Sequence, residues 1–275
     1  MRSIGSVPLH IICDADACTG CGLCAAVCTT GKITKSNEKT PDVSDDAFCI
    51  SCGQCIAVCP AAALSTDTPA FPMPDERGRS LKTDGDQLAA YLKNRRSIRI
   101  WKKKAVTREH LNQLIDVAAY APSACNIHPV KWVITADPEK IQEFSRRSID
   151  VLRALPADHP MAGAAQMLIA AADAGGDPVC RNAPALLIAT SEPDQEFGLI
   201  DSIIALSCID IYAPSIGLGT CWVGYVMIML RLNPELGKIL GIPENWIPQY
   251  AMLAGYPAVA FSRIPPRERP DVVWN

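Results

Sequence analysis

Thirteen cysteines are spread over 275 residues, and eight of them fall into two runs of identical spacing. The first is Cys18, Cys21, Cys24 and Cys28; the second is Cys49, Cys52, Cys55 and Cys59, followed by Pro60. Both read C-x2-C-x2-C-x3-C. In that spacing three thiolates of a tight loop converge on one iron–sulfur cube, and the fourth is carried away to a second cube. Cys18, Cys21, Cys24 and Cys59 are therefore expected to hold one [4Fe–4S] cluster, and Cys49, Cys52, Cys55 and Cys28 the other. Zinc sites are built from pairs of C-x2-C, and a disulfide framework suits an oxidising compartment. Cys13, Cys125, Cys180, Cys208 and Cys221 have no ligand spacing, and most of them read as small buried hydrophobes. Of these, Cys125 and Cys221 fall inside motifs that could line a pocket.

A second constellation is cationic. Arg95-Arg96-Ser97-Ile98-Arg99 packs three guanidinium groups and a hydroxyl at the end of a predicted helix. Such forks suit a phosphate, although a solvated basic helix end is the plainer reading of that run by itself. Three further segments bear on it. Residues 121–129, with Ser123, Asn126 and His128, form a turn-rich loop leading into a strand. Residues 217–224 are glycine-rich and let backbone approach a planar ligand. Gly255-Tyr256-Pro257 precedes Arg263, Arg267 and Arg269.

These residues need elements to hold them. Residues 1–65 are cysteine-rich with little helical periodicity, as expected where metal rather than an apolar core holds the fold. Residues 66–85, with Pro69, Pro72, Pro74 and Gly78, read as a linker. From residue 86 onward, periodicity predicts helices near Leu88 to Leu92, at 107–118 behind the capping candidate Thr107, at 138–155, 161–174 and 234–240. Strands are predicted at 130–136, 185–190, 220–223 and 250–254. Residues 197–211 are apolar almost all round, the pattern of a helix buried on most faces, in the core or at a subunit interface. The mixture is α+β, in domains 1–65 and 86–275, with no repeat beyond the doubled cysteine run.

Residues 14–64 resemble the bacterial two-cluster ferredoxins, departing at Thr29, where that family usually has proline. From residue 86 to 275 the four segments, in this order and spacing, resemble the nitroreductase family of FMN flavoproteins. The resemblance implies a mixed sheet flanked by helices and a homodimer with FMN at the subunit interface. It assigns Arg95, Ser97 and one or both of Arg267 and Arg269 to the phosphate. Arg96 and Arg99 go to the ring and ribityl region, Asn126 and neighbouring Ser123 to the ring side, and Gly224 and Tyr225 to the flavin edge. His128 stands where relatives often have glutamine, either structural or facing the substrate pocket, as Cys221 could. The chemistry is then the flavin's, with no side-chain nucleophile.

The expected activity is reduction of a small organic acceptor with electrons from a ferredoxin or NAD(P)H. A flavin reductase, a specialised dehydrogenase or a non-catalytic redox carrier stand as alternatives. The formal charge of −3 offers no general attraction to nucleic acid or to an anionic membrane, and Lys102 to Lys104 reads as a solvated run. With 49% apolar residues the chain can bury a sizeable core. Residues 199–230 are interrupted by Asp201, Asp210 and Pro214, which favours a buried helix followed by a strand over a membrane span. The first residues lack a signal-peptide apolar stretch, and the expected location is cytoplasmic.

Overall fold

The computed structural model describes residues 9–67 and 83–275. The described residues divide into two compact units: one takes in residues 9–67 together with Ser123–Ile127, the other Thr83–Pro122 and His128–Asn275. Most of the expected linker, including its three prolines, lies outside the described residues.

The first unit is built on short elements. Strand β1 (Ile11–Cys13) precedes helix α1 (Leu23–Ala26), strands β2 (Ile33–Thr34) and β3 (Asp42–Val43), helix α2 (Gln54–Ala57) and strand β4 (Leu64–Thr66). β1 pairs antiparallel with β4, Cys13 opposite Leu64, and β2 pairs with β3. The doubled sequence is a doubled structure: α1 and α2 begin after Gly22 (φ 72°) and Gly53 (φ 67°), left-handed positions that glycine occupies without strain. The apolar core is small, made of Leu9, Ile11, Ile33, Ile56 and Leu64 around Cys24. So few residues leave stability to whatever the cysteines hold.

The second unit opens with α3 (Gly85–Asn94), whose N-cap Asp84 accepts from the Gln87 amide, and α4 (Arg108–Ala118), capped by Thr107. There follow β5 (Lys131–Thr135), α5 (Pro138–Arg153), α6 (Ala162–Asp173), β6 (Ala185–Ser191), α7 (Gly198–Tyr212), β7 (Gly219–Trp222), α8 (Gly224–Leu232), α9 (Leu236–Ile239) and β8 (Ile247–Gly255). The four strands run antiparallel in the order β5-β6-β8-β7, and an isolated parallel bridge joins Ser97 to Thr220. Both faces are covered. Leu186 and Ile188 of β6 pack toward α5, α6, α8 and α9, while Ala185, Leu187 and Ala189 pack toward α4 and α7. That explains why all of β6 is buried and why its sequence is a continuous apolar run rather than an alternating one.

Helix α7 differs from the expectation of a helix buried on most faces. Ala205, Leu206 and Ile209 face the core, whereas Leu199, Ile200, Ile203 and Ile211 are exposed in the single chain. Gly198–Ile216 is long and apolar enough to cross a membrane, yet it carries buried Asp201 and Asp210 and packs on β6 and β8.

The cationic run reaches the sheet through a close crossing. Ile98 donates its amide to Thr220 O, Lys102 to Tyr256 O, and Ala258 to Ile100 O, so residues 97–102 lie along the ends of β7 and β8. There Gly219 stands opposite Gly255. A Cβ on Gly219 would lie 2.3 Å from Ile98 Cγ1, and one on Gly255 would lie 2.8 Å from Trp101. Only glycine lets the segment lie down. Gly219→Ala is expected to lift it and cost about 1–3 kcal/mol in urea unfolding; unchanged stability would show that the crossing is not tightly packed.

Candidate functional site

The first unit gathers its thiols around two cavities. Cys18, Cys21, Cys24 and Cys59 line one, with Cys13 beside them; Cys28, Cys49, Cys52 and Cys55 line the other. The fourth cysteine of each run thus stands at the cavity of the opposite run. Among the described residues no three His, Cys, Asp or Glu side chains close on a single metal ion. A ring of four sulfurs spread around a cavity fits a cube, whose irons each take one thiolate.

Backbone amides point at these sulfurs. Ile33 donates to Cys28 Sγ at 3.4 Å, Ala63 to Cys59 Sγ at 3.2 Å and Ser51 to Cys49 Sγ at 3.4 Å. Burial would raise the Cys28 thiol, but the Ile33 amide and the Thr30 hydroxyl and amide bring it below the usual cysteine value. Burial pushes Cys55 up to about 11, helped by the charges of Cys52, Cys28 and Cys49. The Cys55 thiol therefore stays protonated near neutral pH, and a cluster in this cavity would have to displace its proton.

In the second unit a cleft is lined by Asn94, Arg95, Arg96, Ile98, Gly219 and Phe261. Arg96 Nη1 donates to Lys93 O at 2.8 Å and to Arg95 O at 2.6 Å. Among the described residues, Arg95 Nη1 and Arg96 Nε and Nη2 are buried and make no hydrogen bond. Buried guanidinium donors without an acceptor are costly, and an anionic oxygen in the cleft would satisfy them. Ser97 is fixed by its bridge to Thr220, and Arg99 lies just beyond, donating to Ser97 O at 3.4 Å.

The other candidates fall elsewhere. Gly224 and Tyr225 open α8, Tyr225 packed against the core. Arg267 and Arg269 are exposed, Arg267 donating only to Pro266 O among its recorded hydrogen bonds. His128 is exposed, with left-handed backbone at φ 49°. Ser123 and Asn126 belong to the first unit, where Asn126 Nδ2 donates to Ile50 O at 3.1 Å and Ser51 O at 3.3 Å. Cys221 is buried, and burial raises its thiol against the pull of Arg99 and Arg181.

One residue absent from the sequence-based candidates is Asp210 on α7. Its carboxylate accepts from Thr220 Oγ1 and from Trp222 Nε1 (3.0 Å), and stands 3.3 Å from Arg95 Nη1. The signal was an acid on the inward face of an apolar helix.

A model described as the nitroreductase family matches residues 92–256. The chain belongs to that family. A model described as a 4Fe-4S dicluster domain matches residues 10–60 of this nitroreductase-family chain. It is 26% identical, over 61% of its length and 75% of the other's, to a protein of Methanothermobacter thermautotrophicus provisionally named NADH dehydrogenase/NAD(P)H nitroreductase. It is 28% identical, over 61% of its length and 64% of the other's, to the FMN reductase [NAD(P)H] of Bacillus subtilis. The structure of a nitroreductase with bound FMN from Bacteroides fragilis shares the fold, with 22% identity, a TM-score of 0.55, and 70% of this chain and 100% of that one covered. This member of the family is an oxidoreductase.

Raised thiols hold little thiolate near neutral pH, and the thiolate is the reactive form. At pH 8 iodoacetamide is expected to label exposed Cys125 while Cys180 and Cys221, buried and raised, stay unmodified. Peptide mass spectrometry reads this out, and rapid labelling of Cys221 would instead place its thiol in an open pocket.

Proposed function

We propose that this chain is an FMN-dependent oxidoreductase that draws electrons through two [4Fe–4S] clusters and reduces a small organic acceptor such as a nitro compound, quinone or activated alkene. The observation that supports it is two sulfur-ringed cavities and a cationic cleft on one nitroreductase-family chain. Flavin chemistry fed by NAD(P)H alone has no need of the first unit. A ferredoxin or NAD(P)H is the donor in this reading, and thirteen unpaired thiols suit a reducing cytoplasm.

FMN, when bound, supplies the hydride and single-electron chemistry. The chain's own residues hold and orient it. Arg95 and Arg96 offer buried donors to an anionic oxygen, Ser97 adds a hydroxyl at the strand edge, and Arg99 brings a positive charge beyond it. Arg267 and Arg269, exposed in one chain, complete the phosphate site in this proposal. Ser123 and Asn126 serve the ring side, and the α8 start at Gly224 and Tyr225 the flavin edge. A second copy covers the exposed apolar face of α7, giving a homodimer with FMN at the interface.

A flavin-reductase activity is the second reading, favoured by the relative of that name, of which this chain spans 64%. Steady-state assays separate the readings: consumption of a nitroaromatic or quinone supports the first, reduction of free flavin alone the second, and reoxidation without turnover a redox carrier. Arg95→Ala is expected to weaken FMN retention by about 1.5–3 kcal/mol, the loss of a hydrogen bond to a charged group, and unchanged flavin content would remove Arg95 from the site.

The crossed cysteines give a sharper prediction. Cys28→Ser should halve the iron content; adding Cys52→Ser should remove no more, while adding Cys18→Ser should remove the rest. The reverse pattern, in which adding Cys52→Ser removes the rest and adding Cys18→Ser removes no more, would mean that each run serves its own cluster.

A further inference from the structure

The geometry points to Asp210 as the positioning residue for Arg95: by holding that guanidinium at the cleft it sets the affinity for the phosphate of FMN. This rests on the reading of Arg95 as a phosphate ligand. Asp210 lies near the end of α7, 6% exposed, and both of its oxygens are engaged from β7. Thr220 Oγ1 donates to Oδ1, and Trp222 Nε1 donates to Oδ2 at 3.0 Å. Two donors on one strand leave the carboxylate no freedom to turn. Its Oδ2 then stands 3.3 Å from Arg95 Nη1.

Arg95 is tethered to the same strand from its other end, because Ser97, two residues on, bridges to Thr220. Thr220 is therefore the common anchor: its backbone fixes the arginine's main chain and its hydroxyl fixes the arginine's counter-charge. The pair is not saturated. Arg95 Nη1 is buried and makes no hydrogen bond despite the nearby carboxylate. Asp210 attracts the guanidinium without aligning with its N–H groups, which leaves them for an anion in the cleft beside Arg96. A buried carboxylate with no cation in reach would be costly, so the side chain of Arg95 has a single favoured direction before any ligand arrives.

The test is a double-mutant cycle on the full chain, titrating flavin-depleted protein with FMN and with riboflavin and following flavin fluorescence. Asp210→Asn is expected to weaken FMN on the order of tenfold, to leave riboflavin unchanged, and to have no further effect in an Arg95→Ala background. Equal losses for FMN and riboflavin, or additive losses in the double variant, would make Asp210 a structural residue and overturn the inference. If Arg95→Ala left FMN affinity intact, the phosphate reading itself would fail. If Arg95→Ala weakened FMN but Asp210→Asn did not, only the positioning role would. Asp210→Glu, which keeps the charge but displaces it by a methylene, is expected to fold and to bind FMN as weakly as Asp210→Asn; full FMN affinity in it would overturn the inference.

Discussion

The second unit is organised around two side chains that are not there. Gly219 and Gly255 face each other across β7 and β8; Ile98 occupies the space a Cβ on Gly219 would fill, and Pro184 with Trp101 the space of one on Gly255. That contact joins a segment more than a hundred residues distant to the sheet through three main-chain hydrogen bonds. Everything cationic in the cleft follows from it, since Arg95, Arg96 and Arg99 ride on the segment that those bonds immobilise. Polar groups on rigid strands are held more closely than groups on loops, and here a stretch without regular structure borrows its rigidity from the strand edge beneath it.

The two units solve opposite problems. The second buries a sheet on both faces and has apolar side chains to spare, to the point of leaving Leu199, Ile200 and Ile203 in solvent. The first has barely half a dozen core residues and two cavities ringed by cysteines. With so small an apolar core, a cluster held in each cavity would couple its binding to folding.

What could be read from the sequence was what is local in the chain. The grouping of the cysteines was legible because each run repeats at three-residue intervals, and the placing of Cys28 and Cys59 at the opposite cavity followed from the fourth position of each run. Helices α4 and α5 announced themselves by caps and periodicity, and β6 by its unbroken apolar run. For helix α7 the all-round apolar pattern does not say which face the chain itself covers. The anchoring of Arg95 was invisible for a different reason. It depends on Asp210, Thr220 and Trp222 meeting across a helix and a strand, and the acid looked from the sequence like a mere interruption of an apolar run. Asn126 shows the same limit, since its amide reaches Ile50 and Ser51, 76 and 75 positions away in the chain.

The exchange of fourth cysteines has a bearing on how such a fold could arise. A single run, taken alone, presents three sulfurs to its own cavity and sends the fourth outward. An ancestor of half the length could close neither ring by itself and would have needed a second copy to trade cysteines with. Joining two such copies end to end would turn that concentration-dependent encounter into an intramolecular one. It would also make the halves inseparable: neither could be deleted, replaced or allowed to drift on its own without disarming its twin.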